Sequence, residues 1–382
     1  MFSRAGKTTA VRLRALPSSV RRHLTSRALV YARHGQPEEV LEVCNEELPD
    51  SPASDHLLLE TLAAPVNPAD INMIQGTYPV KPSLEASAAV GGNEGVFRVL
   101  KSASCDFKEG DLVIPAVSCL GTWRSHAHVA SESVMRIDDS SGVDTERLGT
   151  MAVNPCTALL MLTSFCALQD DQVVVQNLGT SGVARAVREI ALDRRWRTLS
   201  VVRDRSDDEL EALRLDFDDS VRRLLGANAV ETQRNRHLFV CESDLKKRDV
   251  RADIARTFGV DEKCAPLALN GVGGRSSMQL TRFLQHGGTL VTYGGMSRQP
   301  VTLPTGAFIF DDIVSRGFWM TRWNAEHSRQ ERQHVLQQVL ALMRRGAFAP
   351  SVHSVDVAAL GDHALLAAFQ QPHQKLLFRF AE

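Results

Sequence analysis

The chain has 382 residues, of which 44 are Lys or Arg and 45 are Asp or Glu, giving a formal net charge of −1. This length is sufficient for two domains, each with its own hydrophobic core, and no apolar run approaches the about 20 residues that a bilayer-spanning helix needs. The seven cysteines are widely spaced and never form C-x-x-C, which argues against a thiolate zinc site and indicates a reducing compartment.

The first 27 residues differ from the rest of the chain. They contain no acidic residue, their apolar residues are scattered, and seven of them are basic: Arg4, Lys7, Arg12, Arg14, Arg21, Arg22 and Arg27. This composition is typical of a mitochondrial presequence, so we expect residues 1–27 to direct the protein to the mitochondrial matrix. A basic arm that binds nucleic acid is the alternative. Without these seven, 37 basic residues face 45 acidic ones, and a net charge of −8 makes the body a poor partner for a phosphate backbone.

Residues 28–157 show the short apolar runs and frequent turns of a β-rich domain. We predict strands at residues 57–59 and 111–115, and another after residues 121–123. Residues 64–70 form a proline-bounded bend between strands.

Residues 171–205 have the pattern of one βαβ unit. An apolar run at residues 173–175 precedes the turn Gly179-Thr180-Ser181-Gly182, after which apolar residues recur at helical spacing, and a second apolar run follows at residues 199–202. Such a unit commonly places a pyrophosphate on the helix N-terminus. Many βα turns bind nothing, however, and Ala184 stands where a close-packing glycine often lies. The turn alone therefore leaves a purely structural role open.

The second strand of this unit ends in Arg203-Asp204-Arg205. NAD-binding proteins usually place a carboxylate here to accept the ribose hydroxyls, whereas guanidinium groups suit a 2′-phosphate. The residues therefore predict NADPH, with a solvated loop as the alternative.

The remaining chain alternates strands and helices before returning to the first domain. We predict strands at residues 267–270 and 289–293, each followed by glycines that let a ligand lie against the sheet edge. Residues 207–264 are charged and poorly periodic, so we expect helices and a long surface loop there. A helix at residues 328–345 and a strand at residues 376–380 rejoin the β-rich part.

The chain resembles the zinc-free medium-chain dehydrogenases/reductases, and more closely the mitochondrial trans-2-enoyl-CoA reductases. The resemblance covers nearly everything from residue 28 onward and is carried by VNPADINMIQGTY (66–78), GGNEG (91–95), GDLVIPA (110–116), GTWRSHA (121–127), NPCTA (154–158), SGVARAV (181–187), VVRDR (201–205), LALNGVGG (267–274), GGTLVTYGGM (287–296) and RGFWM (316–320). It implies a doubly wound Rossmann domain (residues 158–320) for the cofactor. It also implies a GroES-like catalytic domain built from residues 28–157 and 321–382.

The resemblance further implies a set of site residues. Tyr78 would be the proton donor, and NADPH would contact Asn154, Thr180, Ser181, Gly182, Val183, Arg203, Asp204, Arg205, Tyr293, Gly294, Gly295, Met296, Phe318, Trp319, Met320 and Lys375. Zinc-dependent members carry Gly-His-Glu where this chain has GGNEG, so Asn93 replaces a metal ligand and we expect a metal-free reaction. Homodimerisation through the edge of the cofactor sheet is implied in the same way.

The chemistry of enoyl thioester reduction fits these residues. A nicotinamide supplies the hydride, so the protein must supply geometry and an acid for the α-carbon. A phenol with a reference pKa near 10 is protonated at neutral pH and can serve as that acid. From the residues alone, Tyr78 can equally be a packing residue of a surface turn. Two other functions compete with reduction of enoyl-CoA or enoyl-acyl-carrier-protein: an NADPH quinone oxidoreductase, and a non-enzymatic protein that senses NADPH or binds RNA.

Overall fold

The first part of the chain consists mainly of short strands. The computed structural model describes residues 23–85, 87–247, 249–370 and 375–380. Its first elements are β1 (His23–Tyr31), α1 (Pro37–Val40), β2 (Glu42–Pro49), β3 (His56–Pro65), α2 (Pro68–Ile74), β4 (Ala89–Val90), β5 (Val96–Ser102), β6 (Leu112–Pro115), β7 (His126–Ala130), β8 (Val134–Arg136), α3 (Thr145–Gly149) and α4 (Asn154–Ser164).

After α4, strands and helices alternate. The elements are β9 (Val173–Gln176), α5 (Gly182–Asp193), β10 (Arg197–Val202), α6 (Asp207–Leu225), α7 (Val230–Arg234), β11 (His237–Cys241), α8 (Val250–Phe258), β12 (Ala265–Asn270), α9 (Gly274–Thr281), β13 (Leu284–Thr292), α10 (Thr305–Ile309), β14 (Val314–Gly317) and α11 (Met320–Glu326). The chain continues with α12 (Arg329–Arg344), β15 (Val352–Asp356), α13 (Asp362–Ala367) and β16 (Lys375–Arg379).

Six of these strands form one parallel sheet in the order β11-β10-β9-β12-β13-β14. Strand β9 is buried along its whole length, as expected for a strand covered by helices on both sides. Apolar side chains pack in separate clusters on the two faces, with Val174 and Val187 in one and Val173 and Leu199 in the other. This order is that of a doubly wound dinucleotide-binding sheet, and it confirms the predicted fold class.

The other strands form the β-rich part of the molecule. A sheet in the order β15-β16-β3-β5-β6-β8, to which β7 is added through β3, lies beside a three-stranded sheet in the order β2-β1-β4. Strands β15 and β16 come from the C-terminal end of the chain, yet β16 pairs antiparallel with β3. Residues from the C-terminal part of the chain therefore complete a sheet whose other strands lie before residue 137.

The segment 207–264 differs from the prediction in one respect. Helices α6, α7 and α8 lie within it as expected, but β11 also lies there and forms an edge of the parallel sheet. The prediction of a long surface loop was therefore wrong at residues 237–241. The reason is physical: five residues suffice for an edge strand, and the charged residues on either side mask so short an apolar run.

The first strand begins before the expected end of the presequence. Residues 1–22 lie outside the described residues, whereas residues 23–27 pair with β2. The Ser26 hydroxyl is buried and donates to the carbonyl of His126 over 2.7 Å, and the Arg27 guanidinium lies 2.6 Å from Asp362. The boundary at residue 27 thus falls inside a strand. None of the helices in the described part of the chain is long and apolar enough to cross a membrane.

Candidate active site

The turn between β9 and α5 is shaped by two glycines. A Cβ at Gly179 would lie 2.9 Å from the carbonyl oxygen of Val201, and one at Gly182 would lie 2.5 Å from the side-chain amide of Asn154. The Ser181 hydroxyl accepts a hydrogen bond from the amide of Ala184 and caps α5. Thr180 and Gly182 are exposed. The helix N-terminus is therefore open to solvent and bare of side chains, the geometry that suits a pyrophosphate.

Arg203, Asp204 and Arg205 follow β10 at the same end of the sheet. Arg203 is exposed, and the Arg205 guanidinium lies 3.3 Å from the Glu209 carboxylate, four residues further along. The Asp204 side chain is directed toward Ser243, whose backbone amide donates to Asp204 Oδ1 over 2.8 Å. Hydrogen bonds from Ser243 hold the pKa of Asp204 below its usual range. Of the three side chains, Arg203 is the one open to a 2′-phosphate.

The residues after β13 lie beside this turn, at the same end of the parallel sheet. The Tyr293 hydroxyl is buried and makes no well-aligned hydrogen bond with any described residue. Burial raises the pKa of Tyr293 to about 12, opposed by Ser181 beside it. Gly294 packs against Gly271: a Cβ at Gly294 would lie 3.0 Å from the Gly271 carbonyl oxygen. The next residues lie outside the core, and Met296 is 58% exposed.

Tyr78 is held by the end of α2. The amides of Thr77 and Tyr78 both donate to the carbonyl of Asn72, over 2.9 and 3.1 Å. Gly76 has φ of 74°, and a Cβ there would lie 2.8 Å from the His34 ring. The backbone of this loop is thus fixed from Gly76 to the amide of Tyr78.

The Tyr78 side chain meets Trp319, which begins α11 on the opposite side of the cleft. The indole nitrogen of Trp319 donates to the Tyr78 hydroxyl over 2.7 Å, and the two rings meet edge to face with centroids 6.0 Å apart. Phe318, directly before it, is buried and bonded through its amide to the carbonyl of Thr292. The candidate donor and the candidate cofactor residues of β14 and α11 are therefore in direct contact.

An aromatic cleft of about 630 Å³ opens beside this pair. Its walls include Phe165, Phe318, Trp319 and Trp323, and Trp323 stacks on His327 with centroids 4.2 Å apart. Trp319, which the resemblance implies to contact the cofactor, thus also lines this cleft. Met320 is half-buried and packs against the adjoining core.

A buried cluster of polar side chains lies beneath the cleft. Lys375, at the start of β16, places its ammonium group 3.7 Å from the Glu94 carboxylate, and this nitrogen has no hydrogen-bond partner among the described residues. Glu94 also accepts from Asn67 and from the amide of Val153. Asp70 is buried nearby, and burial raises its pKa to about 6 despite a hydrogen bond from Asn93.

The structure brings three pairs of the predicted residues together. Gly182 contacts Asn154, Ser181 lies beside Tyr293, and Tyr78 contacts Trp319. The bare glycine turn and the orphaned polar groups of Tyr293 and Lys375 fit a dinucleotide that would cover them. Sequence reasoning assigned no role to Glu94 or Asn67. Two features of the sequence could have pointed to them. Glu94 is a carboxylate among the glycines of GGNEG, and Asn67 stands before the proline that begins a helix. Among the described residues, no group of three or more His, Cys, Asp or Glu side chains is placed to hold a metal ion.

Comparison with known proteins gives relatives that extend over most of the chain. The mitochondrial enoyl-[acyl-carrier-protein] reductase of Homo sapiens is 42% identical over 332 residues, which cover 86% of this chain and 82% of the human protein. The protein of the same name from Dictyostelium discoideum is 37% identical over 363 residues, covering 94% and 96% of the two chains. No protein-family model matches the chain.

Solved structures give the same grouping. The chain is similar to Etr1p in a complex with NADP and crotonyl-CoA, with a TM-score of 0.80 and 30% identity, over 94% of this chain and all of that one. It is also similar to the mitochondrial 2-enoyl thioester reductase Etr1p/Etr2p heterodimer from Candida tropicalis, with a TM-score of 0.79, 30% identity and the same coverage.

Proposed function

This chain belongs to the family of mitochondrial enoyl-[acyl-carrier-protein] reductases, and from that premise we propose which of its residues perform the NADPH-dependent reduction of a trans-2-enoyl thioester. The substrate is an enoyl-CoA or an enoyl-acyl-carrier-protein, and the product is the saturated acyl thioester of mitochondrial fatty acid synthesis. The observation that supports the assignment of residues is the contact between Tyr78 and Trp319, because it places a phenol on the cofactor side of the cleft.

Tyr78 donates the proton. When bound, NADPH supplies a hydride for the β-carbon, and the electron pair displaced from the double bond moves toward the thioester. The α-carbon must then take up a proton, and the Tyr78 hydroxyl supplies it. Since the tyrosine oxygen already accepts from Trp319, the phenolate that remains is stabilised by a hydrogen bond to the indole.

NADPH would be held between the two parts of the molecule. Thr180, Ser181, Gly182, Val183 and Asn154 would hold its pyrophosphate at the N-terminus of α5, and Arg203 and Arg205 would hold its 2′-phosphate at the end of β10. Residues 293–296 and 318–320 would hold the nicotinamide half, together with Lys375, whose buried ammonium group has no hydrogen-bond partner among the described residues. We assign residues 28–157 and 321–382 to the catalytic domain, and residues 158–320, which contain the six strands of the parallel sheet, to the cofactor domain.

The acyl chain lies in the aromatic cleft beside Trp319. Its aromatic wall of Phe165, Phe318, Trp319 and Trp323 favours a hydrocarbon tail, and the contact between Trp319 and Tyr78 keeps the reacting carbons near the Tyr78 hydroxyl.

Two copies of the chain associate through β14. This strand forms the edge of the parallel sheet and is exposed along its length, and apolar side chains beside it are open to solvent, including Ile309 and Phe310, the latter 78% exposed. An exposed edge with an apolar border is a common pairing surface. Sedimentation of the Phe310→Glu variant, with Leu215→Glu on α6 as control, tests this: only the first should sediment as a smaller species.

The protein is mitochondrial, as its relatives are. We place it in the matrix and assign the targeting function to the basic residues at the start of the chain. That segment is largely outside the described residues.

Steady-state oxidation of NADPH and NADH tests the function. The assay compares 2-enoyl-CoA substrates of four to sixteen carbons with a small quinone. We expect turnover with the thioesters and a preference for NADPH. Turnover with the quinone alone would identify a quinone oxidoreductase, and binding of NADPH without turnover would point to a sensor.

A further inference from the structure

Glu94 lies between the loop that carries Tyr78 and the turn that borders the cofactor cleft. It is 1% exposed. Its Oε2 accepts from the side-chain amide of Asn67 over 2.8 Å, and its Oε1 accepts from the backbone amide of Val153 over 2.8 Å. With the Lys375 ammonium at 3.7 Å, donors from three separate parts of the chain converge on one carboxylate.

One of these donors belongs to the helix that holds the tyrosine. Asn67 immediately precedes α2, and its backbone amide donates to Asp70 in the first turn over 2.8 Å. The last turn of α2 presents the carbonyl of Asn72 to the amide of Tyr78. A helix of two turns moves as a unit, so a displacement at Asn67 is transmitted to the tyrosine loop.

The other donors belong to the cofactor side. Val153 precedes Asn154, and the Asn154 amide is the group that closes on Gly182 at the phosphate turn. Lys375 stands at the start of the last strand, and Glu94 is the one acidic partner recorded for its ammonium group in the described part of the chain.

We propose that Glu94 is a positioning residue that fixes the placement of the Tyr78 hydroxyl relative to the cofactor. The inference rests on the proposed role of Tyr78 as proton donor. Burial of a carboxylate beside a second one, Asp70, is costly, and a core that only had to be stable would be served as well by apolar side chains. A carboxylate is suited to this site because it is acceptor-only: it receives the amides of Asn67 and Val153, and its charge faces the Lys375 ammonium at 3.7 Å.

The test begins with Glu94→Gln, which keeps the size but replaces one acceptor oxygen by a donor. That donor must face Asn67, Val153 or Lys375, so at least one of the contacts is lost. Because misplacement by about 1 Å can cost about 100-fold in rate, we expect kcat with crotonyl-CoA to fall by about 10- to 100-fold. The KM for crotonyl-CoA and the NADPH dissociation constant, measured by fluorescence titration, should stay within about threefold of wild type.

A double-mutant cycle separates positioning from stability. If Glu94 acts through Tyr78, adding Glu94→Gln to Tyr78→Phe should lower kcat by less than about twofold further. If the two losses multiply, Glu94 acts elsewhere and the inference is overturned. The matched control is Asp218→Asn: Asp218 is also 1% exposed and pairs with Arg234 at 2.8 Å, on α6. An equal fall in kcat for this control would mean that the loss in Glu94→Gln comes from general destabilisation of the protein.

The same experiments distinguish failure of the proposed function from failure of this inference. A wild-type protein that binds NADPH but does not oxidise it with crotonyl-CoA overturns that function and this inference together, whereas an impaired Tyr78→Phe variant beside an unimpaired Glu94→Gln variant overturns the inference alone. If Glu94→Gln does not fold, Asn67→Ser replaces it, because serine still favours a helix N-cap but cannot span the distance to Glu94. A kcat unchanged in that variant contradicts the positioning role.

Discussion

The indole nitrogen of Trp319 donates a hydrogen bond to the hydroxyl oxygen of Tyr78 over 2.7 Å. An indole N–H can only donate, so the tyrosine oxygen is the acceptor and its own proton is directed away from the tryptophan. The pair thus presents a phenolic proton to the cleft and a donor to the oxygen that loses it.

Replacing Tyr78 by Phe should lower kcat and kcat/KM together. General acid catalysis contributes about 10²–10⁴-fold, and water entering the site could recover part of that. The NADPH dissociation constant should be nearly unchanged, because the loop backbone is held by Asn72 rather than by the hydroxyl. Steady-state kinetics with a 2-enoyl-CoA and a cofactor titration measure both. A kcat within about threefold of wild type would make Tyr78 a packing residue.

Replacing Trp319 by Phe should have a smaller effect. The change keeps an aromatic wall but removes the hydrogen bond to Tyr78, worth about 0.5–1.5 kcal/mol, so kcat should fall by about 2- to 12-fold. The same change made in Tyr78→Phe should cost almost nothing more, since the acceptor is already gone. A full loss in that background would show that Trp319 acts through the acyl cleft instead.

Replacing Arg203 by Ala should weaken NADPH binding far more than NADH binding. A charge-assisted bond to the 2′-phosphate is worth about 1.5–3 kcal/mol, or about 10- to 150-fold. Arg205→Ala should act in the same direction, although its guanidinium is shared with Glu209. Arg214→Ala, on the exposed face of α6 and paired with Glu211, is the control. Equal losses for both cofactors would mean that these arginines only hold the loop.

Ionisation of the buried Asp70 carboxyl should lower the stability of the folded protein as pH rises. This carboxyl has a pKa of about 6 in the folded protein, against about 3.9 for an aspartate in an unfolded chain, so the folded state binds the proton more tightly. Stability is then highest below pH 4 with respect to this group, falls between about pH 4 and 6, and stays lower above that, by about 3 kcal/mol. Urea unfolding of wild type and Asp70→Asn from pH 4.5 to 7 measures the difference. A difference in unfolding free energy that does not vary with pH would contradict this.

The strand β1 should set the boundary of the targeting segment. Residues 1–22 fused to a fluorescent protein should carry it to mitochondria, because six of the seven basic residues lie there. A chain that begins at His23 should be more stable than one that begins at Ala28, which loses the pairing of residues 23–27 with β2 and the ion pair from Arg27 to Asp362. Thermal unfolding of the two chains decides this: equal midpoints would mean that these five residues contribute nothing to the folded body.

Local patterns predicted the parallel sheet well. Strand β9, the glycine turn and α5 are encoded within about twenty consecutive residues, because hydrophobic periodicity and turn chemistry act over short distances. The same reasoning missed β11, where charged neighbours hide five apolar residues. It also put the expected end of the presequence inside β1, because residues 23–27 share their acid-free character with the residues before them.

The candidate site was predicted only as a set of residues. The hydrogen bond between Tyr78 and Trp319 joins positions 241 residues apart, and no periodicity in the sequence reports such a contact. The role inferred for Glu94 depends on three donors from distant segments. Resemblance supplied the identity of the residues, and packing of the two halves of the molecule determines which of them touch.

Because β16 pairs with residues 63–65 of β3, this sheet joins segments that lie about 310 residues apart in the sequence. Contacts between such distant segments form late in folding. Lys375 is the first residue of β16, so it reaches Glu94 only when β16 has docked on β3. The buried pair beside the Tyr78 loop is therefore assembled among the last contacts of the catalytic half.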